Sequence, residues 1–128
     1  MKKYLVFWKT TTWTVFILVL FLIPSQDIPG SREIPGLDKV VHMVFFMIFS
    51  ILFIRDILKI KGLKNISPPY VLATFLVVLS LAIMIEGLQD KMNLGREGDI
   101  IDIFYDIIGF LFGMLFLVFS YRFRSRSS

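Results

Sequence analysis

The sequence predicts an all-α membrane protein: four transmembrane helices in a compact bundle, with both termini in the cytoplasm. Three observations predict it. The chain is 56% hydrophobic with a mean hydropathy of +0.77, above the roughly 45–50% apolar content of a soluble domain. Its apolar residues fall into four segments, each near the roughly 20 residues that span a bilayer. Its basic residues gather beside the ends of those segments on one side only. A length of 128 residues suits one domain covering residues 1–128, given the usual range of about 100–200 residues each.

The first segment runs from Tyr4 to Ile23, with Lys9 near its inner end, where its stem can lie along lipid and its ammonium reach water. "MKK" before an apolar stretch resembles a secretory signal. The segment is succeeded by "PSQDIPG" rather than by small residues suited to cleavage, so a retained helix is expected. "PSQDIPGSREIPG" has three Pro and two Gly and reads as a turn-rich loop. The second segment spans Asp38 to Leu58. "KIKGLKNISPP" then ends one helix and starts the next, with Ser67 as N-cap and Pro68 and Pro69 in the first turn. The third spans Pro69 to Gln89 and the fourth Ile100 to Tyr121. Tyr4, Trp8, Tyr70 and Tyr121 fall where an aromatic belt would sit, and the many Phe read as lipid-facing filler.

Charge sets the topology. Lys2, Lys3, Lys9, Arg55, Lys59, Lys61, Lys64, Arg122, Arg124 and Arg126 lie at the termini and the middle connector, with Asp56 as the one acid among them. The other two connectors hold Arg32, Lys39, Lys91 and Arg96 together with the remaining nine acids. Basic residues favour the cytoplasmic side, so both termini are expected inside. The net charge of +4 is explained by this topology, and no nucleic-acid partner is expected. The absence of Cys excludes disulfides, thiol nucleophiles, Cys-ligated zinc and c-type haem.

The same topology collects the polar residues of the apolar segments at the outer side. Asp38, Lys39 and His42 start the second helix. Glu86 and Gln89 end the third. Arg96 and Asp99 precede the fourth, and Asp102 and Asp106 lie inside it. Asp99, Asp102 and Asp106 step by three and four and so share one helix face. Gly109 and Gly113 continue that stripe, at a spacing that lets helix backbones approach closely in membranes. With a rise of 1.5 Å per residue, Asp106 sits about 10 Å below Asp99. An ionised carboxylate at that depth needs a partner, a metal or water. Arg96, Lys39 and His42 are the partners within reach. Five carboxylates (Asp38, Glu86, Asp99, Asp102, Asp106) face two fixed cations, so either some acids carry protons or a cation balances them. Plainer roles exist for several: Asp38 and Asp99 suit helix N-termini, and Glu86 and Gln89 suit hydrogen bonding between helices.

Asp38-Lys39-x-x-His42-x-x-x-Phe46, then Glu86-x-x-Gln89, then Arg96 with Asp102 six residues on, then Gly109 and Gly113 form an ordered set. It resembles the VanZ-like family of small bacterial membrane proteins over about residues 35 to 115. The chain departs from that pattern at Asp106, where the family usually has Asn, which adds a negative charge. The resemblance implies a multi-pass protein of the bacterial cytoplasmic membrane acting at the cell envelope. The family is named for a protein linked to teicoplanin resistance and has no established mechanism.

Two functions are expected to compete. In the first, the outer cluster binds an amphiphilic or lipid-linked envelope molecule, such as a lipoglycopeptide or wall precursor, through Asp38, Lys39, Glu86, Gln89, Arg96 and Asp99. In the second it is catalytic, with His42 as general base and Asp102 or Asp106 orienting it or acting as an acid. Glu86, Asp102 and Asp106 are candidate ligands for a divalent cation, an all-oxygen set that favours Mg²⁺, Ca²⁺ or Mn²⁺. Ion transport is disfavoured, because Ile107 to Phe119 carries no polar path through the fourth helix.

Overall fold

The computed structural model describes residues 3–23, 36–92 and 100–127. A 3-10 turn at Lys3–Phe7 leads into α1, Trp8–Leu22. Next along the chain come α2, Leu37–Lys61, α3, Pro68–Lys91, and α4, Ile100–Ser127. No strand occurs among the described residues. Among the described residues four helices are long and apolar enough to cross a membrane, and the chain is a multi-pass integral membrane protein. Outward-facing Val15, Val19, Leu72, Leu76, Ile83, Leu111, Leu115 and Phe119 are exposed. A bundle with this much apolar surface outside is soluble in lipid, not in water.

The ends of the helices follow their sequence. Pro68 and Pro69 occupy the first turn of α3, and Ser67 is the N-cap, as the sequence suggests. Its side chain makes no cap bond. Instead its carbonyl accepts from the Tyr70 and Val71 N–H groups. α2 runs three residues past Leu58, because Lys59 and Lys61 suit the negative end of the helix dipole. Gly62, at φ 65°, then closes it with its N–H directed to the Leu58 and Lys59 carbonyls. α4 extends past Tyr121 for the same reason, carrying Arg124 and Arg126 in its last turn.

α2 and α4 pack most extensively against each other. Gly109 and Gly113 are the cause. A Cβ on Gly109 would overlap the Met43 carbonyl oxygen and lie 3.0 Å from its carbon and 3.1 Å from Met47 N. One on Gly113 would lie 2.9 Å from the Met47 carbonyl oxygen. Without side chains there, the two backbones come into direct contact, which is how dispersion replaces the hydrophobic effect as the driving force in lipid.

The core is built by Ile17 and Phe21 from α1, Phe46, Phe49, Ile54 and Leu58 from α2, Val78, Ala82 and Ile85 from α3, and Phe110, Met114 and Leu117 from α4. The expectation that Phe is lipid-facing filler therefore holds only in part. Phe104, Phe112, Phe116 and Phe119 are exposed, whereas Phe21, Phe46, Phe49 and Phe110 are core.

α1 is the shortest helix and is fastened by polar links. Thr10 Oγ1 donates to the buried Asp56 carboxylate. Trp13 Nε1 donates to the Phe45 carbonyl at 3.0 Å. Gln89 Nε2 donates to the Phe21 carbonyl at 2.8 Å. The last satisfies one of the carbonyls that the end of α1 leaves without a helical partner.

Candidate functional site

His42 lies in the second turn of α2 with its ring fully buried. The α2–α4 glycine contact sets its neighbours. Gly109 sits against Met43, so the turn of α4 that precedes Gly109 faces the turn of α2 that holds His42. That turn carries Asp106, also fully buried. His42 Nδ1 and Asp106 Oδ1 are 2.8 Å apart. With Asp106 ionised the carboxylate can only accept, and the proton of this bond then sits on Nδ1. In the neutral ring Nε2 is then left with its lone pair.

Nε2 points into a group of carboxylates. Asp102 Oδ2 lies 3.8 Å from it, Glu86 Oε1 3.8 Å and Asp38 Oδ1 4.0 Å. None is at hydrogen-bond distance, and Nε2 and Asp106 Oδ2 are buried atoms with no hydrogen-bond partner. Lys39 Nζ donates to the other oxygen of Asp102 at 3.2 Å. Asp102 and Glu86 are buried, while the Asp38 side chain is half-exposed and that of Lys39 about a third exposed, at 31%. The cluster therefore opens to the surface along the first turn of α2.

Phe21 closes the opposite side. Its ring stacks on the His42 imidazole with centroids 4.1 Å apart and planes 15° from parallel. The Gln89 bond to the Phe21 carbonyl fixes the turn of α1 from which that ring projects. All four helices thus contribute at one end of the bundle.

The structure brings together Asp38, Lys39, His42, Glu86, Asp102 and Asp106. Gln89 stands beside them and ties α3 to α1. Arg96 and Asp99 lie outside the described residues. Two sets of side chains can each direct donor atoms to within 4.8 Å of one another: Asp38, His42 and Asp102, and His42, Glu86 and Asp106. The second adds His42 to two of the three cation ligands that the sequence suggests. Phe21 was not legible as a site residue, since an apolar residue in an apolar segment carries no signal of its own.

At the other end of the bundle, a cleft of about 610 Å³ is lined by Arg55, Lys59, Lys64, Tyr121 and Arg124 among others. Among the described residues it brings no acid–base pair and no set of metal ligands together. No protein-family model, curated protein or solved structure matches the chain, and the functional reading rests on the residues of the His42 cluster.

Proposed function

We propose that the chain is a VanZ-like protein of the bacterial cytoplasmic membrane. Its termini lie inside, and its His42 cluster faces outward and binds an amphiphilic or lipid-linked molecule of the cell envelope. One observation carries this reading: an otherwise apolar bundle gathers a His and four carboxylates from three helices into one mostly buried group at one end. Ionisable groups are expensive at membrane depth and are kept where they act. Apolar side chains border the cluster on the lipid side, with Val40, Ile101 and Phe104 exposed. A ligand with a polar head and an apolar tail meets both environments at this place. The orientation is supported by the other end, where Arg55, Lys59, Lys61, Lys64, Arg122, Arg124 and Arg126 gather. The ordered Asp38–Gly113 motif supports the family and, through it, lipoglycopeptide or a wall precursor as the ligand.

A second reading, membrane-embedded catalysis on a lipid-linked substrate, is favoured by the His42–Asp106 bond. An imidazole oriented by a carboxylate on one nitrogen and not hydrogen-bonded on the other is the arrangement of a general base.

Expression of wild type, His42→Ala and Asp102→Asn at matched membrane abundance in a sensitive Gram-positive host tests the proposal, with teicoplanin and vancomycin susceptibility as the readout. Protection by wild type that both variants lose supports a binding site acting in resistance. No protection by wild type removes the resistance role, and equal protection by the variants assigns the cluster to folding. Catalysis is separated from binding by Asp102→Asn in lipid nanodiscs: turnover vanishes and ligand binding persists if the site is catalytic.

A further inference from the structure

Four acceptor atoms from three helices converge in the His42 cluster. His42 Nε2 is buried and has no hydrogen-bond partner, and with Asp106 ionised Nδ1 holds the proton they share. The oxygens around it, from Asp102, Glu86 and Asp38, stand at 3.8, 3.8 and 4.0 Å. A proton on Nε2 would draw one of these oxygens to about 2.8 Å. Asp38, His42 and Asp102 instead direct donor atoms that all lie within 4.8 Å of one another, as a cation between them requires. Ligands about 2.0–2.2 Å from a tetrahedral metal stand about 3.3–3.6 Å from one another, a few tenths of an ångström closer than Nε2 stands to these oxygens.

We propose that this cluster is a divalent metal site, with His42 Nε2 and the carboxylates of Asp38 and Asp102 as its ligands. The metal is a first-row transition ion of the Zn²⁺ or Mn²⁺ class. The imidazole decides the class: an all-carboxylate site suits Mg²⁺ or Ca²⁺, and a nitrogen ligand shifts preference toward transition metals. Asp106 is a positioning residue. Bonded to Nδ1, it fixes the tautomer and aims Nε2, as the outer carboxylate of a carboxylate–histidine–metal triad does. Asp38 and Lys39, the partly exposed members, provide the access route.

This inference deepens the proposed function and rests on the cluster being a binding site. It also says what the site recognises. Bare carboxylates repel the phosphates or carboxylates of an envelope lipid, whereas a metal held by them, with a coordination position left open, binds such oxygens directly.

The test uses the full chain, purified in detergent with a histidine-free tag, stripped with chelator and titrated with Zn²⁺ and then Mn²⁺. Metal content is read by mass spectrometry and affinity by competition with a chelator. His42 is the only His in the chain, so ¹⁵N labelling of histidine reports on this ring alone. Wild type is expected to hold one ion, with the Nε2 resonance shifted and Nδ1 still protonated. His42→Gln should reduce the ion to background, and Asp106→Asn should weaken it by about 10–100-fold. Circular dichroism and size-exclusion elution show that each variant is folded, and Asp102→Asn provides an independent loss if His42→Gln is not. Wild type without bound metal, metal retained in His42→Gln and Asp102→Asn, or coordination at Nδ1 each overturns the proposal. The two readings fail separately. Metal-free wild type whose antibiotic protection still depends on His42 sinks the metal alone, and a His42-dependent metal without protection sinks the resistance role alone.

Discussion

Gly109→Ala should both destabilise the bundle and loosen the site. The added methyl would overlap the Met43 carbonyl oxygen and lie 3.0 Å from the Met43 carbonyl carbon and 3.1 Å from Met47 N. All are backbone atoms, so no side-chain rotation relieves the contact. A carbon rests about 3.3–3.6 Å from a carbonyl oxygen, so the overlap with the Met43 oxygen makes α2 and α4 part locally by about 1 Å. Overpacking of this kind costs about 1–3 kcal/mol, which lowers the folded-to-unfolded ratio by about 5- to 150-fold. The parting falls within one turn of the His42–Asp106 bond. Its 2.8 Å separation would stretch to about 3.8 Å, beyond good hydrogen-bond geometry. Reversible unfolding in mixed micelles measures the first effect, and the ¹⁵N signal of the His42 Nδ1–H measures the second. Gly87→Ala is the control, because a Cβ there meets nothing within 4 Å. Relieved of glycine's helix penalty, it should match or exceed wild type by up to about 1 kcal/mol. Wild-type stability and an unchanged His42 signal in Gly109→Ala would refute the claim that this contact sets the site.

Three further outcomes are expected in the same unfolding assay. Gln89→Leu leaves the Phe21 carbonyl without its 2.8 Å donor at a helix end, and should cost about 1–3 kcal/mol while increasing protease cleavage around residue 22. Trp13→Phe keeps the ring packing against Phe45 and Phe16 but loses the indole bond to the Phe45 carbonyl. A loss of about 0.5–1.5 kcal/mol is expected, and a stabilised variant would remove this link from the account of how α1 is held. Gly62→Ala forces a side chain into the left-handed region at φ 65°; it should cost about 1–2 kcal/mol and leave metal binding unchanged, because the site lies at the other end of the bundle.

The spans and the polar end of the bundle were legible because each has a strong one-dimensional signal. Twenty apolar residues between turn-formers are hard to mistake, and carboxylates inside such a stretch stand out. The stripe Asp102, Asp106, Gly109, Gly113 was legible because steps of three and four define one helix face, and the structure turns that face to α2. The partners of the α1 anchors were not. Trp13 and Gln89 bond to backbone carbonyls, and a carbonyl has no sequence signature. Asp56 was legible only as the one acid on the basic side; its partner Thr10 is 46 positions away among other threonines. The division of Phe between core and lipid was hidden for a different reason. When the solvent is as apolar as the core, polarity no longer distinguishes inside from outside, and packing alone decides.

The acids of α4 and the glycines below them act together. A cluster of carboxylates on loosely packed helices would spread, hydrate and relax toward the positions that minimise repulsion. Here the glycine contact of α4 with Met43 and Met47 holds α2 and α4 at backbone distance one turn below the cluster. Phe21 and Gln89 fix α1 and α3 against the other side. Asp102 and Asp106 therefore cannot withdraw from His42, and the lone pair of Nε2 stays aimed at oxygens that repel one another. Close packing in the apolar part holds the electrostatic tension in the polar part, and a bound cation is what relieves it. Substitutions in the two parts therefore differ in kind. Changes at the glycines should lower stability and affinity together, whereas Asp102→Asn, which removes a charge at nearly constant volume, should lower affinity for a cation while leaving stability equal or higher.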